Sequence, residues 1–310
     1  MFGAIEAGGT KFVCGIGTGP EDLKTVQIPT TIPESTIAEA VSFFRESKQS
    51  IRAIGIGSFG PVDLHSESPT FGHITSTPKP GWRDYNIAGA IGGSLKVPVG
   101  FDTDVNASAL GEGRWGAAVG LTDFLYLTVG TGIGGGAVVG GSVLHGLVHS
   151  EMGHIRIPHA LSMDPFIGNC PFHGDCLEGL ASGPAMQARW GMAPEQLPAR
   201  HAGWALEAHY LALGLVSWIC TLSPQRIIIG GGVMQQPHLF FTIRKELATL
   251  LNGYIQAPEL MDRLDSYIVP PKLGNRAGVL GAVVLAERAL NSRQSRSKDP
   301  GSALPGQKDL

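Results

Sequence analysis

The chain has 310 residues, 16% of them charged, and a formal net charge of −3. This length suggests about two domains. A charge so close to zero gives no electrostatic reason to expect binding to nucleic acid or to a membrane surface. Glycine is unusually frequent, since 44 glycines are about twice the usual share of roughly 7%. They cluster beside apolar segments, so we interpret them as tight turns around a ligand.

The start of the chain and its apolar segments predict neither export nor membrane insertion. Met1 leads almost directly into a strand-like segment, without the basic region, long apolar region and cleavage site of a secretory signal. The most apolar stretch, LALGLVSWICTL from Leu211, has 12 residues, fewer than the roughly 20 that a membrane-spanning helix needs. We therefore expect a cytoplasmic protein with reduced cysteines, in which this stretch forms a buried helix.

The predicted elements occur twice in the same order along the chain: a hairpin with a glycine turn, a helical region and a strand that ends in glycines. The first series occupies residues 2–17, 34–48 and 53–63, and the second occupies residues 123–141, 178–190, 202–222 and 226–234. A repeat of this kind predicts two related α/β lobes with a cleft between them.

The same pattern predicts the domain boundaries. We expect an N-terminal α/β lobe over residues 1–117 and a C-terminal α/β lobe over residues 118–273. A final helix over residues 274–290 should pack back on the N-terminal lobe. The polar segment 291–310, rich in Ser, Pro and Gly, has the composition of a disordered tail.

Glycine motifs suggest a nucleotide site, although the common ones do not fit. Two segments match G-x-G-x-x-G, beginning at Gly55 and Gly130, but neither is followed by the helix start that this motif requires. The Gly-Lys-Ser/Thr sequence of a Walker A loop is absent. Two hairpin turns remain that could present backbone N–H groups to phosphate. Either could be a plain turn, but their equivalent places favour ATP clamped between them: Gly8, Gly9, Thr10 and Lys11, and Gly130, Thr131 and Gly132.

A third motif, Cys170-x-x-His173-x-x-Cys176, concentrates three potential metal ligands in seven residues. A structural Cys2His2 zinc site needs one ligand more. The spacing leaves a redox pair and a metal-free turn as alternatives, although redox pairs normally have the spacing C-x-x-C.

Seven segments together resemble one family. In chain order they are EAGGTKF (6–12), FGPVD (59–63), TDVNASALGE (103–112), LTVGTGIGGG (127–136), EMGH (151–154), CPFHGDCLEGLASGPA (170–185) and IIIGGGV (227–233). This ordered set resembles the ROK family of sugar kinases, and most of all its bacterial fructokinase branch. The resemblance implies an actin-like, hexokinase-like (ribonuclease H-like) fold, a hexose and MgATP bound between two lobes, and a homodimer. Some ROK members are repressors with an N-terminal DNA-binding domain, for which the sequence leaves no room.

The resemblance also implies roles for individual residues. Asp104 would accept the proton of the reacting sugar hydroxyl, with a simple N-cap of the following helix as the alternative. Glu6 stands where the wider group has an Asp that assists Mg²⁺. The residues expected at the sugar are Gly60, Pro61, Thr103, Asn106, Glu151 and Glu178, and those expected at the nucleotide also include Thr131, Gly132, Gly179, Gly230, Gly231 and Gly232.

For the cysteine motif, the resemblance supplies His154 as the fourth ligand. A closed Cys2His2 set makes the zinc structural. His154 is close in sequence to Glu151, and Cys176 is close to Glu178, so one metal could hold both glutamates. The remaining histidines, including His159, receive no predicted role.

These observations predict ATP-dependent phosphorylation of a hexose, with D-fructose converted to D-fructose 6-phosphate. The alternatives are a glucokinase, mannokinase or N-acetylhexosamine kinase of the same family, and a non-catalytic sugar-binding sensor.

Overall fold

A computed structural model of the protein describes residues 1–298. It contains two compact units: unit 1 comprises Met1–Ala107 together with the chain from Val279 onward, and unit 2 comprises Ser108–Gly278. The domain boundary predicted at residue 117 follows the helix that begins at Asp104. The observed boundary lies inside that helix, which extends to Trp115.

Unit 1 is an α/β unit with a five-stranded sheet. Its main elements are β1 (Phe2–Ala7), β2 (Lys11–Gly17), β3 (Lys24–Pro29), α1 (Pro33–Glu46), β4 (Ile54–Ser58), β5 (His73–Ile74), β6 (Tyr85–Asn86), α2 (Ile87–Leu95), β7 (Val99–Thr103) and the start of α3 (Asp104–Trp115).

Unit 2 is a second α/β unit, and the last helix of the chain begins where unit 2 ends. The elements that follow α3 are β8 (Phe124–Val129), β9 (Ile133–Val139), β10 (Ser142–Val143), α4 (Leu177–Ala181), α5 (Gly183–Trp190), α6 (Gly203–Leu222), β11 (Arg226–Gly230), α7 (Pro237–Leu251), α8 (Pro258–Met261), α9 (Leu264–Tyr267), β12 (Ile268–Val269) and α10 (Ala277–Lys298).

The two five-stranded sheets have the same topology. The strand order is β3-β2-β1-β4-β7 in unit 1 and β10-β9-β8-β11-β12 in unit 2. In each sheet the first long strand is antiparallel to the next strand in sequence and parallel to the glycine-ended strand that comes later. The repeat predicted from the sequence is therefore present, and the predicted α/β fold class is confirmed.

Each unit has its own apolar core. In unit 1 the core includes Ile5, Ile54 and Ile56, which are fully buried in neighbouring strands; β-branched side chains of this kind fit a pleated surface well. In unit 2 it includes Leu211 and Leu215 of α6, four residues apart and therefore on one face of the helix. Each such side chain stabilises the fold by roughly 1.5–3 kcal/mol relative to exposure to water.

Helix α6 is the one helix among residues 1–298 that is long and apolar enough to cross a membrane. Half of its most apolar window is buried inside the protein, and Trp204, Leu211 and Leu215 belong to the core of unit 2. This is the pattern of a core helix, as we predicted for the stretch that starts at Leu211.

Helix α10 is longer than the helix predicted over residues 274–290. It continues to Lys298, so residues 291–298, which we predicted as part of a disordered tail, are helical. The rest of the predicted tail, residues 299–310, lies outside the described residues. The helix packs closely in unit 1, because a Cβ atom on Gly281 would overlap the carbonyl oxygen of Ala107.

Candidate active site

In unit 1 the predicted site residues gather at one edge of the sheet. Strands β1, β4 and β7 are parallel neighbours, so their carboxyl ends meet at that edge. In open α/β sheets this is where ligands bind. The edge is followed by the Gly8–Thr10 turn after β1, the Gly60–Pro61 turn after β4, and Asp104 at the start of α3.

The turn between β1 and β2 is exposed at Gly9, Thr10 and Lys11. The backbone N–H of Gly8 donates to the carbonyl of Lys11 at 3.0 Å, and a Cβ atom on Gly8 would approach that same carbonyl at 2.8 Å. Gly9, by contrast, has open space around it. Gly8 therefore allows the tight turn, and Gly9 leaves the backbone accessible to a ligand.

The structure shows which residue caps α3, the role that was the alternative for Asp104. The hydroxyl of Thr103 accepts a hydrogen bond from the backbone N–H of Asn106 at 3.2 Å, which is the N-cap arrangement. Asp104 is instead the first residue of α3, with a carboxylate oxygen 2.9 Å from the backbone N of Val105. The alternative of Asp104 as the N-cap is therefore wrong, and its half-buried carboxylate lies at the carboxyl edge of the sheet.

Two residues that we predicted at the sugar also have structural contacts. Thr103 is 3% exposed and caps α3, and Asn106 is fully buried. The side-chain amide of Asn106 donates to Asp102 at 2.7 Å. Contacts of Thr103 and Asn106 with a sugar stay predictions, as do those of the exposed Gly60–Pro61 turn, whose peptide bond is cis.

Glu6 lies in β1, opposite Gly57 of β4. Its Oε2 atom is buried and has no hydrogen-bond partner among the described residues. Burial, and second the negative charge of Asp104, raise the pKa of Glu6 to about 7, although the backbone N–H of Val279 and the charge of Lys11 oppose the shift. Glu6 and Asp104 are thus a pair of neighbouring carboxyl groups that a divalent cation would suit.

In unit 2 the second glycine turn also follows a sheet edge. Strands β8 and β11 are parallel neighbours, so the turn that begins at Gly130 lies beside the Gly230–Gly232 segment. Gly231 has a φ of +98°, a backbone conformation that glycine adopts readily and other residues seldom do. Contacts of these turns with a nucleotide remain predictions.

Glu178 of α4 lies directly against the first of these turns. Its Oε2 atom accepts a hydrogen bond from the backbone N–H of Ile133 at 2.9 Å, and a Cβ atom on Gly132 would approach it at 2.7 Å. Its other oxygen, Oε1, is 3.8 Å from Nε2 of His154. Glu178, a predicted sugar ligand, therefore contacts the turn that we predicted at the phosphates and lies beside a predicted metal ligand.

Glu151 belongs to the same cluster. Although the residue as a whole is exposed, burial of its carboxyl group raises its pKa; His154 lowers the pKa and the negative charge of Glu178 raises it further. The two predicted sugar glutamates and His154 are therefore close enough to interact within unit 2.

The four predicted metal ligands are brought together by three separate segments. His154 lies in the 3-10 helix Met152–His154, Cys170 and His173 lie in a loop, and Cys176 precedes α4. One ligand atom from each lies within 4.8 Å of the others.

The spacing of these atoms fits zinc. Nδ1 of His154 is 3.7 Å from Sγ of Cys170 and 3.6 Å from Sγ of Cys176, and Nδ1 of His173 is 3.7 Å from Sγ of Cys170. A tetrahedral zinc with bonds of about 2.3 Å to sulfur and about 2.05 Å to nitrogen requires S···N distances of about 3.6 Å. The convergence of two imidazoles on both thiols favours a metal site over a dithiol redox pair.

Gly179, which we predicted near the nucleotide, has a packing function in the structure. Its carbonyl accepts the backbone N–H of Asn169 at 2.8 Å, and a Cβ atom on Gly179 would overlap the carbonyl oxygen of Gly174. The glycine therefore lets α4 approach the loop that carries the metal ligands.

Sequence reasoning missed a group of buried polar residues in unit 2. Asp164, Arg189, Glu207 and the side chain of His159 are all buried. They are scattered along the sequence, and none lies in a motif, so no local signal could have identified them. His159, to which we assigned no role, lies in the middle of this group.

The sequence model of the ROK family matches residues 2–289. This chain belongs to the ROK family. The resemblance carried by the seven sequence segments is thereby confirmed.

Similar ROK proteins cover nearly the whole of this chain. A relative from Bacillus subtilis (strain 168) is 50% identical over 295 residues, which cover 94% of this chain and 97% of the relative. A fructokinase of Lactococcus lactis subsp. cremoris is 44% identical over 287 residues, covering 92% of this chain and 96% of the relative.

A crystal structure of a ROK glucokinase from Streptomyces griseus, in complex with glucose and AMPPNP, is similar at a TM-score of 0.73 and 27% identity. The match covers 93% of this chain and 99% of that one. The ROK kinase fold predicted from the sequence is therefore confirmed.

Proposed function

We propose that this ROK protein is a cytoplasmic, homodimeric kinase that uses ATP to convert D-fructose to D-fructose 6-phosphate. The observation that carries the proposal is the similarity to the Lactococcus fructokinase over nearly the full length of both chains. The glucokinase solved with glucose and AMPPNP supports a hexose and ATP as the substrate pair.

In the proposed reaction, Asp104 accepts the proton of the sugar hydroxyl and orients its oxygen toward the γ-phosphorus of ATP. That oxygen bonds to phosphorus as the bond from phosphorus to the leaving oxygen of ADP breaks. The N-cap formed by Thr103 supports this role, because the carboxylate of Asp104 is not needed as the cap of α3. A positioned base of this kind contributes about 10²- to 10⁴-fold to the rate.

Glu151 and Glu178 accept hydrogen bonds from other sugar hydroxyls in this proposal, with Asn106, Thr103 and the Gly60–Pro61 turn at the same substrate. The geometry of Glu178 supports its part. The backbone N–H of Ile133 holds Oε2, and the imidazole of His154 lies 3.8 Å from Oε1, so one oxygen of the carboxylate is in place before the sugar binds.

The backbone N–H groups of the two glycine turns, around Gly9 and Thr131, bind the phosphates of ATP. Mg²⁺, when bound, neutralises charge on the transferring phosphate. We place Glu6 on the magnesium side, since its buried Oε2 has no hydrogen-bond partner among the described residues and Asp104 lies nearby. Lys11 adds a positive charge beside the first turn.

His154, Cys170, His173 and Cys176 bind a structural zinc. Four protein ligands leave no open coordination position, so the metal organises the site and takes no part in phosphoryl transfer. With Nδ1 of His154 directed at the cysteines, its Nε2–H faces Glu178 Oε1 at 3.8 Å. The metal thereby orients a sugar-binding carboxylate through one of its own ligands.

The test is ADP release measured with fructose, glucose, mannose and the N-acetylated hexoses, using the wild-type chain and Asp104→Asn. We expect the highest kcat/KM with fructose. We expect Asp104→Asn to lower kcat by about 10²- to 10⁴-fold, while fructose binding measured by calorimetry changes little.

A higher kcat/KM for another hexose would replace fructose by that sugar. Binding of a sugar without turnover on any of them would favour the non-catalytic sensor instead. A near-normal kcat for Asp104→Asn would remove Asp104 from its proposed role.

A further inference from the structure

The segment between Ile157 and Cys170 is almost entirely on the surface, yet it contains a buried acid. Asp164 is only 4% exposed, and the side chain of His159 is buried beside it. Its apolar neighbours Leu161 and Met163 are 59% and 86% exposed. Phe166 packs against the core of unit 2, but the deepest side chain of the segment is a carboxylate, so polar contacts contribute to holding it in place.

Those contacts come from two core helices. The hydroxyl of Tyr210, in α6, donates to Oδ2 of Asp164 at 2.6 Å. Nη2 of Arg189, in α5, lies 3.2 Å from the same oxygen as a buried ion pair, although its N–H is not aligned for a hydrogen bond. The guanidinium also lies 4.4 Å above the ring of Phe166. Asp164, Arg189 and Tyr210 therefore fasten the surface segment to the helices, and we name these three residues the Asp164 anchor.

His159 connects the anchor to the loop that carries Cys170 and His173, which we name the metal loop. Nε2 of His159 is 3.0 Å from the carbonyl oxygen of Asp164, and Nδ1 is 3.3 Å from Asp175. Asp175 precedes Cys176 and pairs with Arg156 at 2.6 Å, and Arg156 donates to the carbonyl of His173 at 2.6 Å. A continuous series of polar contacts thus runs from α6 to two of the four predicted metal ligands.

A second connection runs from Arg189 to α4. Its Nη1 donates to the carbonyl of Leu180 at 2.8 Å, two residues beyond Glu178. The anchor is therefore linked to the metal loop through His159, Asp175 and Arg156, and it directly contacts the helix that carries the proposed sugar ligand. The arrangement does not involve the metal itself.

Stability alone does not account for these residues. A buried ion pair is often no better than apolar side chains of the same volume, because desolvation offsets the attraction. Here Arg189 also faces a second buried acid, Glu207, whose two oxygens have no hydrogen-bond partner among the described residues. Contacts that gain little stability but have strict geometry are suited to fixing a position.

We propose that Asp164 is a positioning residue that, with Arg189 and Tyr210, holds the metal loop and α4 in the arrangement that both zinc and sugar require. The effect on sugar rests on the proposed function, whereas the effect on the metal can be measured without any turnover. Loss of the anchor should therefore weaken the binding of zinc and of the sugar while leaving the chemical step intact.

The experiment compares wild type, Asp164→Asn and Tyr210→Phe as zinc-loaded full-length chains. Tyr210→Phe removes a single hydroxyl and keeps the ring, so it tests the anchor even if Asp164→Asn fails to fold. Zinc release to a chromophoric chelator should be about tenfold faster in either variant. Loss of an outer-shell partner lowers metal affinity by about 10- to 100-fold, and we expect the lower end of that range. KM for fructose should rise about as much, with kcat within about twofold of wild type.

Glu246→Gln is the matched control. It removes the negative charge that faces His209 at 2.8 Å. His209 is the neighbour of Tyr210 in α6, and the substitution should leave zinc release within about twofold of wild type. Unchanged zinc release in a folded Asp164→Asn or Tyr210→Phe would overturn the proposal, as would a loss confined to kcat. Absence of turnover in wild type would refute the proposed function alone, because zinc release still tests the anchor.

Discussion

At the residue scale, the carboxyl groups of the candidate site differ because their surroundings differ. Glu6 is buried beside Asp104, and its pKa is raised to about 7. The pKa of Glu151 is also raised, first of all by burial, but the charge of His154 partly offsets the shift. Glu6 is therefore suited to holding a proton or facing a cation in unit 1. Glu151 is suited to accepting hydrogen bonds from hydroxyl groups in unit 2.

Glu6 should make the stability of the protein depend on pH. Because its pKa is higher in the folded state than the usual 4.5, the folded chain holds a proton between about pH 4.5 and 7 that the unfolded chain releases. Stability should therefore fall as the pH rises through this window, by at most about 3 kcal/mol. Thermal unfolding without magnesium should show a smaller decrease between about pH 5 and 7 for Glu6→Gln than for wild type. Equal slopes would contradict this assignment.

At the scale of elements, the position of Asp104 in unit 1 depends on helices α3 and α10. Thr103 starts α3 by capping it, which places Asp104 at the sheet edge. Helix α10 then packs against α3 at Gly281 and against β4 at Gly55, where Cβ atoms would overlap the backbone of Ala107 and Ala282. The position of Asp104 therefore depends on a helix that begins more than a hundred residues later in the sequence.

Replacement of Gly281 tests this packing. Gly281→Ala places a methyl group against the carbonyl of Ala107, and since backbone cannot move aside easily, we expect a loss of at least about 2 kcal/mol in the free energy of unfolding. Gly93→Ala, in α2, is the matched control because nothing lies within 4 Å of the added Cβ. It should stabilise by about 0.5–1 kcal/mol through helix propensity. Urea unfolding of both variants measures the difference, and a harmless Gly281→Ala would show that α10 can shift.

At the scale of the whole molecule, the two units repeat one topology but differ in how they hold their site residues. Unit 1 relies on a sheet edge and close helix packing. Unit 2 has a long connection between β10 and α4, where the predicted metal ligands cluster and the proposed Asp164 anchor makes its contacts.

Metal removal should therefore affect unit 2 selectively. Elemental analysis should find about one zinc per chain in wild type and in Cys220→Ser, which changes an exposed thiol, but none in Cys170→Ser. A metal that binds only the folded state at a thousandfold excess over Kd adds about 4 kcal/mol to stability. Cys170→Ser should lose about this much and should bind fructose less tightly. Full stability and activity in a zinc-free chain would refute the structural metal.

Local patterns and the order of motifs were enough to predict the repeated α/β lobes, the two glycine turns and the ROK resemblance. They also identified three clustered potential metal ligands, Cys170, His173 and Cys176. Sequence reasoning misplaced the end of α10, since polar composition favours a disordered tail and does not reveal how far a helix continues. The tertiary structure was needed to show that Thr103 and not Asp104 caps α3, because both residue types can cap a helix and the two are adjacent in sequence. It also showed that His154, Cys170, His173 and Cys176 have the spacing of a zinc site, and it revealed the Asp164 anchor. These last two features depend on distances between residues far apart in the chain, which folding brings together and which no short sequence window contains.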